Sequence, residues 1–184
     1  RLQIAWSGRV QGSDTGLYAA PYTAEGRPQR WLATQLEAVG ARQMFPSFDE
    51  PSFRVRYEIT LRAPAAYGAV SNMPEVAHSD EGGLRVHRFA PTPPMPSYLV
   101  ALAVGRFDVR EGRAGATPTR VFTTPGKAAQ GDFALRAVAD VLPFYTRYFG
   151  VPYALPKLDM LAVPATQTGA MENWGLVIYA EGLL

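Results

Sequence analysis

The stretch RVRYEITL at residues 54–61 alternates between apolar and polar side chains. Its apolar positions are Val55, Tyr57, Ile59 and Leu61. Successive side chains of a strand point to opposite faces, so this alternation predicts a β-strand with one face in the core and one in solvent. Half-buried strands of this kind are typical of antiparallel sheets.

Three further segments predict strands at short spacing. LRVHRF at 84–89 follows the turn-forming SDEGG, SYLVALAVGRF at 97–107 follows a proline-rich stretch, and TRVFTT occupies 119–124. The continuous apolar run in the second segment indicates burial on both faces. Short strands separated by Gly and Pro turns favour a β-sandwich or a saddle-shaped sheet.

The pattern changes after residue 125. Asp132 is placed to cap a helix over 133–149 whose apolar residues share one face, and Gly150 is placed to end it. Pro143 lies inside this helix and predicts a kink or a break. Apolar runs at 158–163 and 176–179 predict two more strands. We therefore expect a mainly β chain with a smaller α+β portion, and a domain boundary near residue 125.

Composition narrows the function classes. The chain has 184 residues, a net charge of +2 and scattered basic residues, so nucleic-acid binding is not expected. It has no cysteine, which excludes disulfides and thiolate metal sites. No apolar run has the length of a membrane span. Both ends resemble cuts from a longer protein. The sequence does not distinguish a cytoplasmic from an exported protein.

Catalytic side chains are sparse. The two histidines, His78 and His87, fall in a polar turn and in an alternating strand, so we expect both to be structural or solvated. With no cysteine and two dispersed histidines, a zinc site made by this chain alone is not expected. No glycine-rich phosphate loop is present. Likewise, Asp49 and Glu50 in FDEP are interpreted as structural residues.

One carboxylate stands out in TQTGAMENWGLVIY at 166–179. Glu172 has apolar neighbours on both sides, so the pattern predicts a buried anion that needs a cationic partner. Gly169 permits close approach of a ligand to the backbone. An unpaired sheet edge here would hydrogen-bond an extended peptide. The free α-amine of a peptide would supply the cation.

Several motifs now form a specific resemblance. GAMENWGL at 169–176 resembles the exopeptidase signature of the M1 family of zinc aminopeptidases, the aminopeptidase N-like gluzincins. TQLEAVGARQMFPSFDEPSF at 34–53 and VSNMP at 70–74 are similar to the N-terminal domain of that family. PPMPSYLVALAVGRF at 93–107 and YFGVPYALPKLDMLAVP at 148–164 follow in family order. The resemblance covers nearly the whole chain.

The resemblance implies a β-rich N-terminal domain over 1–125 that lacks its first strands, joined to the start of a thermolysin-like catalytic domain over 126–184. It implies that Glu172 binds the α-ammonium group of a peptide substrate and that Glu37 is a second carboxylate on the same amine. Charge-assisted hydrogen bonds contribute roughly 1.5–3 kcal/mol each. A blocked amino terminus would leave buried carboxylates unpaired, which is costly.

The resemblance assigns further roles around this amine site. Gln35 would line the pocket for the first substrate side chain. Gly169 and Ala170 would offer backbone groups to the peptide. Met171 would shape the pocket, and Asn173 would orient the loop.

Zinc in this family is bound by a His-Glu-x-x-His helix and a later Glu, which follow the signature, as does a transition-state Tyr. None of them lies in this chain, so the resemblance implies no catalytic residue and no metal ligand here. We expect the rest of the catalytic domain to be the partner of this chain, and the chain alone to be inactive.

Three alternatives remain open. A non-catalytic relative would keep the fold as a scaffold or binding module, although such a module does not need the intact GAMEN. An epoxide-hydrolysing relative tends to have a second Gly where this chain has Ala170. A generic β-sandwich binding domain explains the strands and leaves the ordered motifs unexplained.

Overall fold

The computed structural model describes residues 1–184, which form three β-sheets and one long helix. The strands run in chain order as follows: β1 Gly16–Ala24, β2 Arg27–Gln35, β3 Thr60–Pro64, β4 Gly68–Ser71, β5 Glu75–Glu81, β6 Leu84–Phe89, β7 Leu102–Gly105, β8 Asp108–Ala114, β9 Thr117–Thr123, β10 Leu158–Val163, β11 Ala170–Met171 and β12 Leu176–Ala180. The helix α1 is Gly131–Phe149. This confirms the mainly β fold class with a smaller α+β portion.

The first sheet has the order β1-β2-β7-β4 and is antiparallel throughout. Its β1–β2 hairpin turns through Glu25 and Gly26, which have φ of 51° and 70°. Two successive positive φ values suit the right-handed twist of the flanking strands, and Gly adopts them at no steric cost.

The second sheet has the order β3-β6-β5, and β6 confirms the strand predicted at 84–89. The strand predicted at 54–61 is wrong in its bounds, because the regular strand is Thr60–Pro64. Residues before it pair irregularly: the Val55 N–H donates to the Met95 carbonyl, and the Met95 N–H donates to the Val55 carbonyl. Pro93, Pro94 and Pro96 surround Met95 in the partner segment, and proline has no N–H for a continuous ladder.

The third sheet has the order β11-β12-β10-β9-β8 and is mixed. The central strand β10 runs parallel to both β9 and β12, while the outer pairs are antiparallel. Helix α1 makes the crossover from β9 to β10. All six residues of β10 are buried, as expected for a strand covered on both faces, and its bounds match the apolar run at 158–163.

Two expectations about α1 are wrong. The N-cap is Gln130 and no side chain caps it; Asp132 lies in the first turn, where its carboxylate pairs with Arg110 on β8 at 2.8 Å. The helix packs on β8 and β9 through another face, with Gly131 close against Val121. An apolar helix face normally packs in the core, but Phe133, Val141, Tyr145 and Tyr148 of this face are exposed, and Ala137 and Val138 are half-buried. Gly150, at φ 67°, ends the helix as predicted.

A single buried core joins the first and third sheets. Its members come from both halves of the chain and include Trp31, Ala103, Phe122, Leu161 and Ile178. β8 and β9 pair with β10 and belong to the third sheet, so the sheets divide after Gly105. The domain boundary near residue 125 stays a prediction. None of the helices is both long and apolar enough to cross a membrane.

Candidate functional site

The GAMEN segment forms the outer edge of the third sheet. β11 contains only Ala170 and Met171, which pair with Tyr179 and Ile178 of β12. No strand pairs with its other side. The edge expected from the sequence is therefore present, with backbone groups available to an extended chain.

Side chains along this edge alternate in burial. Ala170 and Glu172 are exposed, whereas Met171 and Asn173 are each 1% exposed. The prediction that Glu172 is a buried anion is wrong for this chain, because its carboxylate faces solvent and has no ion pair or side-chain hydrogen bond. It lies at the wall of a groove of ≈ 690 Å³ between α1 and the residues that follow β11. The groove is lined mainly by apolar side chains.

The Asn173 side chain is anchored to the backbone of Leu99. Its side-chain Nδ2 donates to the Leu99 carbonyl oxygen at 3.4 Å, and its Oδ1 is buried without a hydrogen-bond partner. An unsatisfied buried acceptor costs free energy, so this oxygen could accept one more donor. This position is compatible with an orienting role for Asn173. That role stays a prediction.

The turn after Glu172 is held tightly. Gly175 has φ 74°, and a Cβ there would lie 2.2 Å from the Asn72 carbonyl oxygen. Only Gly fits, because any side chain would clash with backbone and be strained at this φ. The Asn72 side chain also donates to the Trp174 carbonyl at 2.9 Å. The end of β4 therefore fixes this turn.

A buried cation supports the same turn. Lys157 Nζ donates to the Ser71 carbonyl at 2.9 Å and to the Gly175 carbonyl at 2.6 Å. It lies 2.8 Å from the Asp159 carboxylate, which also binds Arg120 at 2.6 Å. Burial lowers the pKa of Lys157 to about 8, and the neighbouring Asp159 carboxylate offsets only part of that shift.

The loop before β11 is held by Asp14. Its Oδ2 accepts hydrogen bonds from the Gln167 backbone at 2.8 Å and from the Thr168 backbone at 3.1 Å, and from the hydroxyls of Thr166 and Thr168. The bond from Gln167 is the largest cause that holds the pKa of Asp14 below its ordinary value, against the opposing effect of burial. The carboxylate is thus charged at neutral pH.

Glu37 and Gln35 lie at the end of β2. Gln35 is half-buried and Glu37 is exposed, with no ion pair or side-chain hydrogen bond. The peptide bond between Glu37 and Ala38 is cis. Leu36, between the two, is buried in the same core cluster as Met171. A common core therefore carries both segments, each with an exposed carboxylate.

Family comparisons agree with this geometry. A model of the peptidase M1 N-terminal domain matches residues 1–99, and a model of the peptidase family M1 domain matches residues 133–184. The first match alone covers more than half of the chain. The chain belongs to the peptidase M1 family.

Similar M1 proteins carry aminopeptidase names. The chain is 42% identical over 186 residues to aminopeptidase N from Acetobacter pasteurianus, covering 100% of the chain and 52% of that protein. It is 44% identical over 184 residues to aminopeptidase M1-A from Oryza sativa subsp. japonica, and this match covers 100% of the chain and 21% of that protein. It is 40% identical over 184 residues to glutamyl aminopeptidase from Rattus norvegicus, and this match covers 98% of the chain and 19% of that protein. The chain thus spans about half or less of these relatives.

The zinc of M1 aminopeptidases does not fit the residues present here. No group of three or more His, Cys, Asp or Glu side chains could hold a metal ion. His78 and His87 lie opposite each other on β5 and β6, and both contact the Glu75 carboxylate through Nδ1, at 3.0 and 3.3 Å. A zinc ion would need ligands beyond those of this chain.

Sequence reasoning missed four residues that support the M1 signature segment. Lys157 and Asp159 are two positions apart at the start of an apolar strand, so their shared face was a readable signal of a buried pair. Asn72 lies inside the quoted VSNMP, but nothing local shows that its amide reaches Trp174. Asp14 carries no local signal, because its partners lie over 150 residues away in the chain.

Proposed function

We propose that this chain is part of a zinc-dependent aminopeptidase that removes single residues from peptide amino termini, and that it carries the α-amine recognition part. The observation that carries the proposal is the exposed Glu172 carboxylate beside the unpaired edge of β11. A peptide can add to such an edge through its backbone while a carboxylate binds its ammonium group.

Two carboxylates would act on the same amine. Glu172 would bind the ammonium from the edge strand, and Glu37 would approach it from the end of β2. Neither has a competing ion pair within the chain, so both are free for a ligand. An exposed ion pair contributes only about 0–1 kcal/mol, so strong amine binding requires that the site be closed from water.

The backbone of the edge would hold the substrate main chain. A Cβ at Gly169 would have nothing within 4 Å, so the outer side of this position is open to a ligand. Ala170 is exposed next to it. Both are therefore proposed to hydrogen-bond the peptide, as a strand added to a sheet does.

The remaining assignments concern the pocket walls. Gln35, half-buried beside Glu37, is proposed to line the pocket for the first substrate side chain. Asn173, anchored to Leu99, is proposed to orient Glu172. Met171 belongs to the core cluster, so any effect on the pocket would be exerted from beneath the edge strand.

Zinc would be held by ligands outside this chain and would supply Lewis-acid chemistry there. Within this chain, the residues discussed bind and orient the substrate amine and main chain. They would fix the amino terminus and thereby the position of the first peptide bond, which gives an exopeptidase its positional specificity.

The test compares an unmodified tripeptide with its N-acetylated form in the whole protein supplied with zinc. We expect turnover of the free peptide only. Glu172→Gln keeps the shape and removes the charge, and should lower kcat/KM by roughly 10- to 150-fold, the equivalent of one charge-assisted hydrogen bond. Glu50→Gln, an exposed carboxylate in FDEP, is the matched control and should change little. Equal turnover of the acetylated peptide would contradict the proposal.

Reading the coding sequence beyond residue 184 would distinguish the enzyme from the scaffold alternative. A His-Glu-x-x-His motif within a few tens of residues, followed by a Glu on a later helix, would support the enzyme. A reading frame that continues without those histidines would favour a peptide-binding or scaffold role.

A further inference from the structure

One oxygen of Asp14 accepts hydrogen bonds from three consecutive residues. Oδ2 lies 3.0 Å from Thr166 Oγ1, 2.8 Å from Gln167 N, and 3.1 and 3.2 Å from Thr168 N and Oγ1. Hydrogen bonds to an ionised acceptor are roughly twice as strong as neutral ones. The start of the chain thus holds a loop 152–154 residues away.

This loop ends where the substrate edge begins. Thr168 directly precedes Gly169, whose carbonyl oxygen accepts a hydrogen bond from the Ala180 N–H at 2.9 Å. β11 itself has only two residues, so its own ladder fixes little of its direction. The conformation at Gly169 therefore depends strongly on how Thr168 is held.

The other end of the edge has its own anchors. Asn72 binds the Trp174 carbonyl, and Lys157 binds the Gly175 carbonyl. Asp14 and Asn72 thus hold the two ends of a short segment that carries Glu172. The end held by Asp14 contributes the Gly169 and Ala170 backbone.

We propose that Asp14 is a positioning residue for substrate binding: it fixes Thr168 and so aims the Gly169–Ala170 backbone, and with it Glu172, at the peptide amino terminus. This inference rests on the proposed amine-recognition function. Asp14 acts through the loop and does not touch the substrate.

Asp14→Ala removes the acceptor, and Asp14→Asn keeps an oxygen but removes the charge. In the whole zinc-loaded protein we expect kcat/KM for the free tripeptide to fall about ten- to a hundredfold in the alanine variant, because small misplacements near a reacting group carry costs of that order. The asparagine variant should lie between it and wild type. Asp80→Ala is the matched control, since it removes a carboxylate paired with Arg85 on the remote second sheet.

Hydrogen exchange gives a readout that a general loss of stability would not reproduce. We expect the Thr168 and Ala180 amides to exchange about tenfold faster in Asp14→Ala, with β8 amides unchanged, because only the local opening is affected. If Asp14→Ala does not fold, Thr168→Val removes one hydroxyl donor from the same oxygen and should shift the same amides less.

The outcomes separate the two claims. If wild type does not prefer the free tripeptide over the acetylated one, the proposed function fails, whatever exchange shows. If wild type prefers it but Asp14→Ala changes neither Thr168 exchange nor kcat/KM, the positioning role is overturned. It is also overturned if exchange rises evenly across the chain, or if local exchange rises while kcat/KM stays at the wild-type value.

Discussion

The side-chain Nδ2 of Asn72 donates a 2.9 Å hydrogen bond to the backbone carbonyl oxygen of Trp174, 102 residues later in the chain. The same nitrogen donates to the Leu99 carbonyl at 2.8 Å, and Oδ1 accepts from the Ala101 N–H at 2.9 Å. One fully buried amide thereby satisfies three backbone groups from two distant segments. It joins the first sheet to the turn that follows Glu172.

Asn72→Ala should destabilise the protein severely. It removes three hydrogen bonds and leaves buried backbone groups without partners, at about 1–3 kcal/mol each before relaxation. We expect a loss of about 3–5 kcal/mol in the free energy of unfolding, measured by urea denaturation. Ser71→Ala is the neighbouring control, since the Ser71 hydroxyl makes one bond, to the Ala101 carbonyl. A loss no larger than that of Ser71→Ala would contradict the assignment.

Substitution by alanine should affect the free energy of unfolding very differently at two glycines of the signature segment. Gly175→Ala places a Cβ 2.2 Å from the Asn72 carbonyl at φ 74°, so we expect a loss of at least about 2 kcal/mol in unfolding free energy. Gly169→Ala meets nothing within 4 Å and should change stability by less than about 0.5 kcal/mol.

For peptide binding, we expect a clear effect of Gly169→Ala, although this variant changes stability less than Gly175→Ala. If the substrate main chain approaches Gly169, a methyl group there should raise KM for the free tripeptide although the fold is intact. Thermal unfolding and steady-state kinetics on the same two variants separate these effects. A Gly169→Ala variant with wild-type KM would argue against backbone contact at this position.

Local patterns in the sequence predicted what local forces determine. The apolar run of β10, the turn-bounded strand β6 and the helix stop at Gly150 all follow from burial and backbone preferences acting within a few residues. The residues of the GAMEN segment likewise pointed to an unpaired sheet edge. Each of these features is confirmed in the fold.

Long-range contacts explain what the sequence did not predict. The helix periodicity of α1 is real, but the face that packs on β8 and β9 depends on where small residues such as Gly131 allow close approach. Asp14 and Asn72 act on residues more than a hundred positions away. Glu172 has apolar neighbours in sequence, yet burial alternates along this edge, so that Met171 is buried and the Glu172 carboxylate is exposed.

Asp49 should act as a structural carboxylate. Burial raises its pKa, but hydrogen bonds from Ser97 Oγ at 2.6 Å and from the Arg42 backbone and side chain at 3.0 Å outweigh this, so the pKa of Asp49 lies below its ordinary value. Asp49→Asn should lower the unfolding free energy at pH 7 by about 1.5–3 kcal/mol.

The sign of the pH dependence follows from that lowered pKa. A carboxyl group with a lower pKa in the folded state stabilises the protein above its unfolded pKa of 3.8 and loses this effect as pH falls through the folded value. The stability difference between wild type and Asp49→Asn should therefore shrink below about pH 4. A difference that stays constant down to pH 3 would contradict the charged hydrogen bonds.

Lys157 should give a pH dependence of the same sign, but in the alkaline range. In the unfolded chain its ammonium titrates near 10.5, and in the folded chain burial lowers the pKa to about 8. Between these values the unfolded state binds more protons, so stability rises with pH by up to about 1.4 kcal/mol per unit. Lys157→Met lacks this titration and leaves Asp159 with Arg120 alone, so it should be destabilised at pH 7.

The measurement is the wild-type minus Lys157→Met difference in unfolding free energy from pH 6 to 10. It should be flat from pH 6 to about 7.5, where Lys157 is protonated in both states, and should rise above pH 8. Subtracting the variant removes the contribution of tyrosines, which titrate at higher pH in both proteins. A flat difference up to pH 10 would mean that Lys157 keeps its proton in the fold, so that the Asp159 carboxylate outweighs burial.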